Sequence, residues 1–212
     1  MAAARAREIA DWTLDLPAGW FMVPTEELEA HGVSQWIDDI VGAVREMAVQ
    51  PGSPTQLRGQ LTRLRADLVS QQSPWLSAAV SIRPDDVMSV GCVLLTSVLG
   101  LDPDDGPDAF QALLEEGFAH PARGTRNHTS RTWRDRIDAG ELVGSYQRFE
   151  IVELGEGIGT VEDRTIYGVF PDDATEMIRI EFRTADLGAF DDIIDATSEL
   201  VRTTRVSLTE PA

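Results

Sequence analysis

The chain of 212 residues contains no lysine, a single cysteine and only three histidines. One cysteine, Cys92, excludes an intramolecular disulfide framework and any zinc site built on several thiolates. Three scattered histidines, His31, His120 and His128, leave little material for a histidine-activated nucleophile. Neither a Gly-x-Ser-x-Gly elbow nor a His-Glu-x-x-His pair occurs. No apolar run approaches the ~20 residues that a membrane-spanning helix needs. The most apolar stretch, Met88 to Leu101, is short and rich in Val, Ser and Thr, and it reads as a buried strand. The first ten residues carry two arginines but no apolar core of signal-peptide length, so a cytoplasmic protein with no direct membrane insertion is expected.

What is abundant is acid. Against 18 basic residues, all Arg, stand 36 Asp and Glu, for a net charge of −18. That excess repels a polyphosphate backbone, and nucleic-acid binding normally requires a concentrated basic face, so no nucleic-acid partner is expected. A hydrophobic fraction of 42% with 25% charged residues is the composition of a folded globular chain.

Three acidic or glycine-rich motifs invite a ligand and fail on spacing. Gly155, Gly157 and Gly159 precede a strand-like run rather than a helix, so they predict a wide hairpin turn and not a phosphate loop. Asp102, Asp104, Asp105 and Asp108 carry oxygen ligands, but Pro103 and an early Gly106 break the calcium-loop register. A turn with Asp108 capping the next helix is expected there. Glu116 and His120 share helical i, i+4 spacing, yet Pro121 ends the helix at once. No catalytic residue, metal or cofactor is assigned.

Hydrophobic periodicity lays out the elements. Residues 11–23 predict two extended pieces around a turn at Pro17, Ala18 and Gly19. Thr25 is placed to cap a helix with Glu26 and Glu27 in its first turn and Val33, Trp36, Ile37, Ile40, Val41, Val44 and Met47 on its inner stripe. Leu57, Leu61, Leu64 and Leu68 predict a second helix, which makes 25–72 a helical hairpin. Strands follow over 79–82 and 88–99, then a short helix with Phe110, Leu113 and Leu114 inward. The polar stretch 125–137 reads as an edge strand or a loop. Strands at 142–154, 164–170 and 176–184 come next. In the last, Ile178, Ile180 and Phe182 face inward while Arg179, Glu181 and Arg183 face water. An amphipathic helix over 186–202 closes the chain, with Leu187, Phe190, Ile194, Thr197 and Val201 inward. The expectation is one α+β domain spanning 1–212. It is an antiparallel sheet flanked by helices, with an N-terminal helical hairpin inserted after the first strand.

One stretch departs from the acidic background. Arg123, Arg126, Arg131, Arg134 and Arg136 crowd together with His128 and Trp133. They form either a docking patch for an acidic group or a set of partners for the chain's own carboxylates. Trp and Arg are over-represented at the energetic centres of interfaces, so Trp133, Arg134, Arg131 and Arg136 are the candidate partner-binding residues.

The order of features resembles the PsbP-like α/β/α sandwich superfamily. The resemblance is carried by the Leu16-Pro17-Ala18-Gly19-Trp20 turn and by the closing strand–helix unit after Phe182. It implies non-enzymatic binding to a larger assembly or to a client's apolar segment, and it transfers no functional residue. The expected function is therefore a protein-binding or adaptor role, of the secretion-chaperone or immunity-inhibitor kind. The expected partner is another protein, basic or bearing an apolar segment. The alternative is a carboxylate-based hydrolase or small-ligand enzyme with a cleft between helices and sheet.

Overall fold

The structure, a computed structural model, describes residues 7–26, 28–47, 53–70, 76–83, 88–102, 104–152 and 159–210. Its first elements are β1 (Ile9–Thr13), β2 (Trp20–Val23), α1 (Ala30–Met47), α2 (Pro54–Ser70), β3 (Ser77–Arg83), β4 (Ser89–Gly100) and α3 (Pro107–Ala119). There follow β5 (Thr125–Ile137), β6 (Gly140–Val152), β7 (Gly159–Phe170), β8 (Glu176–Thr184), α4 (Ile193–Arg202) and β9 (Arg205–Leu208). The fold is α+β with a large antiparallel sheet. The chain divides into two compact units, one of residues 17–95 and one of residues 1–16 with 96–212. No helix among the described residues is long and apolar enough to cross a membrane.

In the unit of residues 17–95, β2 pairs antiparallel with β3, from Trp20↔Ser81 to Val23↔Ala78, and β3 neighbours β4. α1 buries Ile37, Ile40, Val41 and Val44, and α2 buries Leu57, Leu61 and Leu68, in one cluster with Val23, Val80 and Ile82. Each such side chain removed from water contributes about 1.5–3 kcal/mol, which makes this cluster the main stabilising feature of the unit. α1 begins at Ala30, four residues later than the Thr25 cap predicts. The Thr25 hydroxyl donates instead to Leu76 O at 3.4 Å, and Arg65 Nη2 donates to Glu26 O at 2.7 Å. These bonds engage Thr25 and Glu26 away from the start of the helix, so Thr25 does not cap it. Trp75 and the turn at 84–86 lie outside the described residues.

The other unit is built on the strand order β8-β7-β6-β5, with β1 and β9 forming a separate antiparallel pair. Leu101 N–H donates to Thr175 O at 2.8 Å, so the end of β4 lies beside the start of β8. The polar stretch 125–137 is the edge strand β5, joined to β6 by a two-residue turn that ends at Gly140. Gly140 has φ +138°, and a Cβ there would lie 2.1 Å from Phe170 O, so only glycine fits. β6 and β7 pair as far as Val152↔Gly159, while Gly155 and Gly157 of the expected hairpin turn lie outside the described residues.

Register sorts this sheet into two faces. Trp133, Gly144, Tyr167 and Ile180 lie in one row across β5 to β8, and Thr132, Ser145, Ile166 and Glu181 lie in the next row, on the opposite face. α4 covers the first face, with Tyr167 Oη 2.7 Å from Thr197 Oγ1 and 3.1 Å from Ser198 Oγ. α3 covers the second, where Leu114, Val143, Ile166, Phe170 and Met177 form a cluster with Phe110 and Phe118.

Three expectations are corrected here. Asp108 does not cap α3: the N-cap is Gly106, Pro107 opens the helix, and the Asp108 carboxylate pairs with Arg134. The closing helix starts at Ile193 rather than Asp186, because the intervening chain turns on its own polar groups. Asp186 N–H donates to Thr184 Oγ1 at 2.9 Å and Gly188 N–H to Asp186 Oδ1 at 3.0 Å. Asp192 Oδ1 then caps the helix, accepting from Ile194 N–H at 2.8 Å and Asp195 N–H at 3.2 Å.

The third correction concerns β8. Its polar side was expected to be wet, yet Glu181 is 0% exposed. The carboxylate is bonded by Arg179 and Arg183, its i−2 and i+2 neighbours on the same strand face. Arg164 Nη1 stands 3.9 Å away from β7. Burial pulls the Arg164 guanidinium below its ordinary pKa, and Arg183 and Arg179 pull the same way against the charge of Glu181. A buried carboxylate without such partners is strongly disfavoured.

Replacing it should therefore be costly. Glu181→Ala is expected to lower unfolding free energy by about 3 kcal/mol, the low end for a broken buried pair because the arginines can turn toward water. Denaturant unfolding measures it, and a change within about 0.5 kcal/mol, the range of neutral surface substitutions, would show that Glu181 is dispensable.

Candidate functional site

β5 carries all four candidate residues, but alternation divides them. Arg131 and Trp133 lie on the α4 face, and Arg134 and Arg136 on the α3 face. The structure therefore brings Arg131 to Trp133, with the guanidinium 5.5 Å from the ring centroid, and separates Trp133 from Arg134. Trp133 is half-buried. It lies across Gly144, where a Cβ would come within 2.2 Å of its ring, and meets Tyr167 edge-on at 5.8 Å. A glycine inside a strand marks such a close approach, and Gly144 is the signal by which sequence could have placed this tryptophan against the sheet.

On the α3 face Arg134 works as a fastener. Its Nε donates to Gln111 Oε1 at 2.8 Å and its Nη2 to Asp108 Oδ1 at 2.5 Å, while Nη1 bonds Glu141. Thr132 Oγ1 donates to Glu115 Oε1 at 2.7 Å. Hydrogen bonds from Gln111 and then Thr132 hold the Glu115 carboxyl below its usual pKa. Arg136 pairs with Asp172, and Arg126 and His128 approach Glu150 at 3.4 Å. Exposed pairs of this kind contribute about 0–1 kcal/mol each, so the bonds of Arg134 and Thr132 orient α3 while Phe110, Leu114 and Phe118 attach it.

The helix so placed forms one side of an apolar groove of about 440 Å³, lined by Leu99, Leu101, Phe110, Leu113, Phe170 and Met177. Leu113 is 65% exposed and Leu99 39% exposed. Helical spacing predicts Leu113 as an inward position; instead it faces water, because the stripe that meets the sheet is Phe110, Leu114 and Phe118. Asp105 stands at the rim, with Asp102 and Asp104 on the same exposed loop. Arg179 also lines the groove and is bonded to Glu181, which it shares with Arg183.

The α4 face holds a second concavity, of about 420 Å³, between β5–β6 and the segment 186–194. At its base Asp163, 4% exposed, accepts from Tyr146 Oη at 2.9 Å and from Arg148 Nε and Nη2 at 2.7 and 2.8 Å. That bidentate pair holds the Arg148 guanidinium above its ordinary pKa. Burial raises the Tyr146 phenol above its ordinary value, with the Asp163 hydrogen bond and charge adding to it. Burial likewise raises Tyr167, against the hydrogen bonds from Ser198 and Thr197.

No family model and no curated protein matches this chain.

Tyr146 and Tyr167 are the chain's two tyrosines, which gives a direct test of this face. Their raised folded pKa values mean that the stabilisation from the neutral phenols is complete below the ordinary value of 10.0 and is lost as pH climbs past it. An alkaline titration followed by tyrosinate absorbance should show neither residue ionising at the ordinary pH, with both appearing as the protein unfolds. A tyrosinate signal of normal midpoint in the folded protein would contradict the burial of one of them.

Proposed function

We propose that this chain is a non-enzymatic binding protein of the cytoplasm that docks an apolar segment of a basic partner protein in the groove beside α3. The observation that carries the reading is that Leu113 and Leu99, both exposed, line one groove with Phe110 and Met177. A single exposed leucine is ordinary on a protein surface, but several facing one concavity provide anchor positions for a partner's side chains. Charge selects the flanks of that segment. Asp105 edges the groove, Asp102 and Asp104 lie on the same exposed loop, and the whole chain carries −18, so Lys or Arg beside the apolar anchors gains attraction and acidic flanks are repelled. In this reading Arg134 is a positioning residue, since it fastens the helix that walls the groove. The resemblance to the PsbP-like superfamily supports the same role, that of an adaptor or chaperone that shields a client segment.

Peptide libraries selected against the full chain should return sequences with Leu, Phe or Met anchors flanked by Lys or Arg. Leu113→Asp should weaken their binding by at least about tenfold, roughly 1.4 kcal/mol, while leaving thermal melting unchanged because Leu113 already meets water. Rising salt should slow association. Selected peptides with acidic flanks, or binding indifferent to Leu113→Asp, would overturn the assignment.

A further inference from the structure

The concavity on the α4 face is bounded by walls of opposite charge. One wall is β5–β6, which presents Arg131 and Arg148. Register pairs Arg131 with Tyr146 and Arg148 with Thr129, so the two arginines are diagonal neighbours on one face. Arg148 is held by the buried Asp163 through Nε and Nη2, and its Nη1 has no partner among the described residues. Arg131 rests on the Trp133 ring and meets no carboxylate among the described residues. In a chain with twice as many acids as bases, an arginine left without one stands apart from Arg134 and Arg136, which are both paired.

The other wall is the segment that leads into α4. Asp191 has no partner among the described residues, and Asp192 uses one oxygen, Oδ1, to cap the helix. Asp192 and Tyr146 line the same concavity. Apolar surface lies beside these carboxylates: Leu187, 46% exposed, and Phe190 line the same space. A free anion here would face the aspartates, and a free cation would face Arg131. A ligand carrying both charges satisfies both walls, and one with an apolar side chain also covers Leu187 and Phe190.

We propose that this pocket binds an α-amino acid with an apolar side chain. Its carboxylate lies on Arg131 and Arg148, its ammonium on Asp191 and Asp192, and its side chain on Leu187 and Phe190. A volume of about 420 Å³ lies within the ordinary range for small-ligand pockets. Arg148 is pre-organised by its bidentate bond to Asp163, so little side-chain freedom remains to be lost on binding. The inference goes beyond the docking role, and it uses the face of β5 opposite the groove.

The test uses the full chain, isotope-labelled, with L-leucine as the probe. Leucine at millimolar concentration is expected to shift the backbone amides of 186–193 and the Arg131 Nε–H signal. N-acetyl-L-leucine lacks the ammonium and L-leucinamide lacks the carboxylate, and each should bind at least about tenfold more weakly. Arg131→Gln should show the same loss with unchanged melting, because Arg131 is exposed. Leu113→Asp should bind leucine like the parent chain, so failure of this proposal and failure of the docking role are read separately. No shift with millimolar leucine, or equal binding of either blocked analogue, overturns the proposal. Equal binding of N-acetyl-L-leucine would make the ligand a bare carboxylate, such as a protein C-terminus.

Discussion

The constraint on which the C-terminal unit depends is the pairing register of β5 to β8. Side chains in a strand alternate between faces, so a register fixed at one row fixes every other row. Gly144 admits Trp133 at one crossing, and Gly168 admits Phe110 on the opposite face, where a Cβ would lie 2.7 Å from that ring. These two glycines work as keyholes. A one-residue slip would set Trp133 against a side chain and would bring Arg134, Arg164 and Glu181 to the wrong face together. The turn at Gly140, which no other residue can make without striking Phe170 O, pins the first hairpin of the series.

Charge is distributed by the same rule. Glu181 shares its face with Arg179 and Arg183 on its own strand and Arg164 on the next, so the meander delivers three guanidiniums to one carboxylate without any long-range accident. Such a cluster is not an efficient stabiliser, since apolar residues of similar volume would commonly do as well. Its effect is on specificity: a misregistered sheet would leave a bare charge in the interior, at a cost of several kcal/mol. The arginine-rich edge strand follows the same logic at the surface, where Arg134 and Arg136 meet Asp108, Glu141 and Asp172. Charged side chains along β5 also blunt an open edge of 13 residues that would otherwise invite pairing with another chain.

Strand periodicity was the most legible part of the fold. β8 reads with both ends right because Ile178, Ile180 and Phe182 alternate with charged residues between clear breaks. α1 and α2 read well for a similar reason, their inner positions being almost entirely Val, Ile and Leu. The failures have local causes. Leu187 and Phe190 fall on helical spacing with Ile194, but the hydroxyl of Thr184 and the carboxylates of Asp186 and Asp192 bond backbone amides and delay the helix. Thr25 looks like a cap and is diverted by a carbonyl distant in sequence. Glu181 looks like a surface residue because alternation tells which side a residue takes, not whether that side is covered. The candidate site was legible as a stretch of chain but not as a surface. Pairing Trp133 with Arg134 joined neighbours in sequence that a strand must separate.

That separation also decides how the two concavities relate. The groove depends on α3, which rests on Thr132 and Arg134, whereas the pocket depends on Arg131, Tyr146 and Arg148 on the reverse face. Residues on opposite faces of one strand share a backbone but no side-chain partner. Substitutions at Leu113 and Arg131 therefore have no common contact through which to couple, and their effects should be close to additive. Coupling would require β5 itself to have a second position, and the row from Trp133 to Tyr167 opposes one. Shifting the strand would lift the indole out of the Gly144 notch and break its edge-on contact with Tyr167, whose hydroxyl is bonded to Thr197 and Ser198 of α4. An edge strand locked in this way can carry two surfaces and keep them independent.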